Sequence, residues 1–500
     1  MSSPVFGLWH RQTPWRVLIV ATAIIAGMGA VALGSWSSAA LIALALAALI
    51  ALPTLRASME IRLAAFFVLW SLSDFAKKVT FLAEGQAVWS QYFVFLLPYA
   101  FFALAILIPW AARQDWAHPS RLQVALLLYV GLALASTWLS GDTGPVAKAA
   151  ASGLMIAPWM MVGVGASHPE ARPRVARVLF VLGSLSASYG ILQSLAGPTP
   201  IELGWASASG EVSIGASHLT DVLQGKSYAI VWRSTGFQAD EFTYGLFLVT
   251  ALASGWMLLA EERLRRAPFI LGSILILTGA ALSLVRTTWV AIAALVVFAI
   301  LARRVRFLLR PGWILAAIVG SFFAADAAAL LLRQLAYLAA GIGNLALRRA
   351  LTFGTLSARA GAVAKLIDLL PDRWLTGVGY GASPWIAHKF GGFALLPSNF
   401  ASHNVVLEHM WYVGLVGVVL ASTIVYLAVL RGYLAYLHGA LSLPVYSILL
   451  GYLLAMVLTG LSIGGVFLSF PYFFYLGALG GKTRGGHQFL PGTLPAGERM

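Results

Sequence analysis

Cysteine is absent from the 500 residues, which excludes disulfides, thiolate metal sites and a cysteine nucleophile. Charge is scarce: Asp, Glu, Lys and Arg together make up 10% of the chain, where soluble domains carry roughly a quarter. Acid is scarcer than base, with 18 Asp and Glu against 33 Lys and Arg, and no Asp-x-Asp occurs anywhere. A divalent metal held by paired carboxylates therefore has no sequence basis. What the chain does have is apolar surface. It is 60% hydrophobic with a mean hydropathy of +0.85, so its bulk must be solvated by lipid. A net charge of +15 would suggest a nucleic-acid partner in a soluble protein, but here the basic residues sit between apolar runs. That pattern belongs to membrane topology and gives no reason to expect nucleic acid.

About 20 apolar residues are needed for a helix to cross the hydrocarbon. Candidate spans fall near 16–34, 38–53, 61–75, 91–112, 121–140, 146–166, 174–196, 241–260, 267–285, 287–302, 311–334, 408–430, 441–461 and 464–480. The expected fold is all-α, a polytopic bundle of 12 to 14 transmembrane helices. The first run is long and another follows at once, so it reads as a retained span and not a cleaved signal. With the N-terminus inside, 20 of the 33 basic residues fall in inside segments, nearly all in short loops. The positive-inside rule then sets both termini on the cytoplasmic side.

The expected organisation is N-terminal helices over 1–196, an outer loop at 197–240, central helices over 241–334, a large outer loop at 335–402, C-terminal helices over 403–480 and a cytoplasmic tail at 481–500. At 68 residues, 335–402 is the longest connection, and it holds six basic residues on the side that should be poor in them. Long connections of this kind are usually functional. Ala360, Val363, Ala364, Ile367 and Leu370 recur at helical spacing and predict a short amphipathic helix within it.

The outer segments carry the residues suited to an anionic group at the membrane surface. Arg233 precedes a span in Trp232-Arg-Ser-Thr-Gly-Phe, Arg286 sits where two spans meet in Ser283-Leu-Val-Arg-Thr-Thr-Trp, and Arg359 begins the amphipathic helix. One such Arg alone could be an interfacial anchor. Three on the outer side suit phosphate oxygens, which guanidinium forks match well. His403, with Asn404 beside it and Glu408 five residues on, falls where a helix emerges from the large loop. A lone His is commonly a satisfied polar residue, and placement is what singles His403 out. His409 reads as core-facing.

Gly377, Gly379 and Gly381 form a tight run that could cradle a phosphate or let backbone pack closely; no strand precedes it, which excludes a dinucleotide fold. Asp326 and Arg333 share a helix face and read as a structural contact. The outer acids Asp240, Glu241, Asp368, Asp372 and Glu408 form no metal-ligand spacing, and the first outer turn, Ser35-Trp-Ser, has no carboxylate.

Four stretches together resemble the bacterial O-antigen ligase and O-antigen polymerase superfamily. They are Tyr189-Gly-Ile-Leu-Gln-Ser-Leu-Ala-Gly; Arg233-Ser-Thr-Gly-Phe with Asp240-Glu-Phe-Thr-Tyr-Gly; Leu282-Ser-Leu-Val-Arg-Thr-Thr-Trp; and the run from Arg359 through Gly377-Val-Gly-Tyr-Gly to His403-Asn and Gly414-Leu-Val-Gly. The resemblance covers roughly residues 185 to 420. It departs at Asp240, where such proteins more commonly carry Asn or Pro, and at Val285, which stands in place of a Ser.

The resemblance implies inverting, metal-independent glycan transfer from an undecaprenyl-diphosphate carrier at the periplasmic face of a bacterial inner membrane, with no cofactor. Arg233, Arg286 and Arg359 would bind the donor diphosphate, and His403 would act on the acceptor hydroxyl. Asp240, Asn404 and Glu408 would support them. Trp205, Trp374, Tyr380 and Trp385 are candidates to stack on sugars. The acceptor would be a growing lipid-linked polysaccharide for a polymerase, with a chain-length regulator as a further partner, or lipid A core for a ligase. A lipid-linked sugar flippase or other transporter is the reading from another class; it calls for charges buried through the middle of several spans.

Overall fold

The computed structural model describes residues 57–84, 97–139, 144–197, 199–200, 202, 234–238, 240–283, 285–320, 373–383, 386, 405–458 and 470–480. Among the described residues the protein is all-helical, and six helices are long and apolar enough to cross a membrane. The helices are α1 Met59–Glu84, α2 Leu97–Ala111, α3 Arg121–Leu139, α4 Pro145–Ser167, α5 Arg172–Ala196 and α6 Glu241–Ala260. They continue as α7 Arg266–Leu282, α8 Arg286–Arg304, α9 Val405–Leu437, α10 Leu443–Leu458 and α11 Phe470–Ala478. The six long apolar helices are α3, α4, α5, α6, α8 and α9.

Two expectations change in detail. The short run near 61–75 becomes the 26-residue α1, because the helix continues past Asp74 through residues too polar to count as an apolar span. The expected span at 408–430 becomes the 33-residue α9, broken at Gly414. The spans expected near 16–34 and 38–53, most of the one at 311–334, the amphipathic helix and the Asp326 and Arg333 pair lie outside the described residues.

Helix α6 is the hub: 83% of its apolar stretch is buried, against 28% for α8. It packs on α5, α7, α8 and α10. Lipid supplies no hydrophobic drive between helices, so contact depends on close fit and on polar links. Both are present. The Thr250 and Tyr452 hydroxyls lie 2.9 Å apart between α6 and α10, and those of Ser254 and Tyr475 lie 2.6 Å apart between α6 and α11. Helices α4 and α11 approach so closely that a Cβ at Gly165 would meet the Phe474 carbonyl oxygen at 2.5 Å.

The outer faces are apolar where a water-soluble protein would be polar. Ile270, Leu271, Ile274 and Leu277 of α7 and Val290, Val297 and Ile300 of α8 all face outward. Contiguous patches of this kind are rare on soluble monomers and ordinary against hydrocarbon.

Base collects at one end of the bundle. Arg174 at the start of α5 pairs with Glu60 at the start of α1 at 2.7 Å, and Arg172 pairs with Glu261 beyond α6 at 2.5 Å. Arg303 at the end of α8 lies 5.6 Å over the Trp256 ring. Arg263, Arg265, Arg266, Arg304, Arg306 and Arg310 belong to the turns at this same end. Because each helix runs from one end to the other, the ends of α3, α5 and α7 and the starts of α6, α8 and α9 meet at the opposite end.

Candidate functional site

At that opposite end a polar node ties three of the quoted stretches together. Gln193, near the end of α5, turns its amide inward among apolar helices. Its Oε1 accepts from the Thr235 and Gly236 backbone N–H groups at 3.1 and 3.0 Å, and its Nε2 donates to the buried Glu202 carboxylate. Glu202 also accepts from the Tyr189 hydroxyl and the Thr199 N–H, at 3.0 and 2.9 Å. Lys78, buried in the last third of α1, donates to Thr235 Oγ1 at 2.9 Å. Ser186 Oγ accepts from Phe237 N–H at 3.0 Å and donates to Gln238 at 2.9 Å. The 234–238 turn is thus held by side chains from α1 and α5, which meets the backbone's demand for partners away from water.

The third stretch joins through the α7 to α8 connection. Ser234 N–H reaches the Leu282 carbonyl at 3.4 Å, and Arg286 is the first residue of α8. The Thr287 and Thr288 hydroxyls beside it, and the Ser234 hydroxyl, are buried without a hydrogen-bond partner among the described residues. Buried hydroxyls left open at a helix N-terminus are suited to an anionic or polyhydroxyl ligand. Asp240 serves as the N-cap of α6: its carboxylate accepts from Thr243 N–H at 2.8 Å and from the Thr243 hydroxyl at 2.7 Å.

The glycine run forms a backbone joint. Helix α9 breaks at Gly414, with φ of 68°, and the carbonyls of Trp411 and Tyr412 lose their usual helical donors. Val378 and Gly379 N–H groups fill them at 2.8 and 2.9 Å, Leu415 N–H donates to the Trp374 carbonyl at 2.8 Å, and Ser136 Oγ donates to Thr376 and Tyr412 carbonyls at 2.8 and 3.1 Å. Gly377 and Gly379 hold φ of 70° and 82°, which L-residues rarely adopt. Of the two roles open to the run in the sequence, close packing is the one seen: the N–H groups of residues 377 to 379 are all committed to backbone carbonyls, and none of these is left for a phosphate. Irregular backbone between apolar helices persists only where its polar groups are satisfied in this way.

Behind the joint, His409 is buried, as its sequence position implied. Its Nε2 lies 3.0 Å from the Tyr129 hydroxyl, which lies 2.6 Å from the Tyr380 hydroxyl. Burial holds the Tyr380 phenol well above its ordinary pKa. Tyr380 packs on Tyr412 at 5.0 Å between ring centres, so its face is not open to a sugar; Trp374 is exposed.

Arg233, Arg359, His403, Asn404, Trp205 and Trp385 lie outside the described residues. Glu408 is buried in the first turns of α9. Lys78, Gln193 and Glu202 were not singled out from the sequence, although a Lys, a Gln and a Glu in or beside long apolar runs were a usable signal. No group of three or more metal-ligating side chains occurs among the described residues. No family model, curated protein or solved structure matches the chain.

Proposed function

We propose that the protein is a multi-pass bacterial inner-membrane glycosyltransferase. In this reading it polymerises a lipid-linked polysaccharide, taking oligosaccharide from an undecaprenyl-diphosphate donor at the periplasmic face, with inversion and without a metal. The observation that carries the reading is the convergence of residues 189–193, 234–238 and 282–288 at one end of the bundle, with open buried hydroxyls where Arg286 starts α8. Sidedness supports it. By the positive-inside rule the Arg-rich end is cytoplasmic, which turns the polar node outward. The chain then makes about fourteen spans, with both termini inside and with 335–402 as a periplasmic loop.

Chemically, the acceptor hydroxyl attacks the anomeric carbon as the lipid diphosphate leaves. Arg233, Arg286 and Arg359 neutralise charge growing on the diphosphate. His403 takes or orients the acceptor proton, supported by Asn404 and Glu408. Asp240 acts indirectly, by fixing the start of α6 next to the 234–238 turn. Among the described buried charges, Arg62, Glu202, Glu241 and Glu408 lie near helix ends, and only Asp74 and Lys78 lie well within a helix. That distribution favours an enzyme over a transporter.

Parallel donor-binding and turnover measurements on purified variants test the roles. Arg286→Lys keeps the charge but loses the fork, and should weaken donor binding by about 1.5 to 3 kcal/mol. His403→Ala should leave donor binding intact and slow transfer by roughly 10² to 10⁴. Normal turnover in His403→Ala would remove His403 as the base.

A further inference from the structure

Helix α8 ends in a run of base that its surroundings do not neutralise. Arg303 and Arg304 close the helix, Arg306 opens the 3-10 turn Arg306–Leu309, and Arg310 follows that turn, before the helical run at 312–320. All four arginines are exposed. The sequence from 263 to 325 contains no Asp or Glu, and none of the four forms an ion pair among the described residues. Glu261, at the same end of the bundle, is already taken by Arg172 and Arg263.

The turn is a fixed platform at the edge of the apolar surface. Leu309 is fully buried, and its carbonyl accepts from the Tyr446 hydroxyl of α10 at 3.0 Å. Leu308 N–H donates to the Val305 carbonyl and Arg310 N–H to the Phe307 carbonyl, at 3.0 and 3.2 Å. With Leu309 turned in, Val305, Phe307 and Trp313 are left exposed. The Phe307 and Trp313 rings meet edge to face at 5.5 Å, and the Arg310 guanidinium lies 5.4 Å over Phe307. Aromatic rings set among cations suit the headgroup level of a bilayer. The depth agrees. Val297, Ile300 and Leu301 of α8 are exposed as a lipid-facing surface would be, and Arg304 lies three residues beyond Leu301, about 4.5 Å along the axis.

Topology alone asks only that base lie at this end; it does not ask that the base go unneutralised on a pinned aromatic turn. Arg303 is drawn over Trp256 and Arg310 over Phe307, whereas Arg304 and Arg306 make no side-chain hydrogen bond, ion pair or ring contact among the described residues. Guanidinium forks match phosphate oxygens, and four basic residues directly beyond a span attract anionic headgroups. We propose that the end of α8 and the 305–313 turn bind an anionic phospholipid, with Arg304 and Arg306 on its phosphate and its acyl chains along Val297, Ile300 and Leu301. A zwitterionic lipid carries its own ammonium beside the phosphate and binds less well. The site lies at the opposite end of the bundle from the polar node and does not depend on glycan transfer.

The test is native mass spectrometry of the delipidated full chain, titrated at low salt with phosphatidylglycerol and with phosphatidylcholine of the same acyl chains. The unaltered protein should prefer phosphatidylglycerol, and the preference should shrink as salt is raised. An arginine near an anionic lipid surface is worth about 5-fold in binding, so Arg304→Gln with Arg306→Gln should weaken phosphatidylglycerol about 25-fold and leave phosphatidylcholine unchanged. Arg265→Gln with Arg266→Gln makes the same change in net charge at the same end and should cost less than about 5-fold. The comparison of the two lipids on the unaltered chain decides the matter even if a variant fails to fold. Equal binding of the two lipids, an unchanged phosphatidylglycerol affinity in the Arg304 and Arg306 variant, equal losses in both double variants, or displacement of the lipid by inorganic phosphate would each overturn the proposal.

Discussion

Single residues in this protein are chosen as much for the backbone as for chemistry. Gly414 is the strictest case: its φ is positive and an added Cβ would collide with the Leu375 backbone. With φ of 68° and ψ of -176°, Gly414 lies in a region open essentially to glycine alone, which costs an L-residue about 1 to 3 kcal/mol, and the collision adds to it. Gly414→Ala should therefore lower the thermal midpoint in detergent well below that of the unaltered protein. Gly153→Ala, within α4 with nothing within 4 Å of the added atom, is the control. It should be neutral or stabilising by about 0.5 to 1 kcal/mol, since alanine is the better helix former. Equal effects from both would mean that the Gly414 joint does not form.

Among elements, the end of α5 and the starts of α6 and α8 meet at the 234–238 turn. Gln193 satisfies two buried N–H groups of the 234–238 turn. Gln193→Leu keeps similar bulk and strands both, at about 1 to 3 kcal/mol each. A fall in stability of that order is expected in a chemical-denaturation series, together with faster hydrogen exchange in 234–238 and not in α10. No change in exchange there would mean that another element holds the turn.

Apolar run length was enough to locate α3 to α8 within a few residues, because hydrocarbon thickness imposes it. The length of α1 was not legible, since Asp74, Lys77 and Lys78 end the apolar run while neighbouring helices and the 234–238 turn carry the helix onward. The break at Gly414 was not legible either: its cause is the 373–383 segment, distant in sequence, which supplies the missing hydrogen bonds. Of the candidate site, sequence marked the 189–197, 234–238 and 282–288 stretches, but not the part played by Gln193, which ties the 234–238 turn to α5, or by Glu202, which Gln193 and Tyr189 hold.

For the whole molecule, the account joins charge asymmetry to chemistry. A topology reporter fused after Gly480 should be cytoplasmic, and one inserted near Gly392 periplasmic; the same side for both would refute the span count. With no acidic pair to hold a divalent ion in the sequence, turnover should survive EDTA and need no added Mg²⁺. Activity lost on chelation and restored by Mg²⁺ or Mn²⁺ would overturn leaving-group stabilisation by arginine. The most direct test of the central claim is product analysis after incubating purified protein with an undecaprenyl-diphosphate oligosaccharide, with and without lipid A core. The account predicts a ladder of longer lipid-linked chains that forms without core. A product found only on lipid A core would make the protein a ligase, and no transfer to either acceptor would contradict the account.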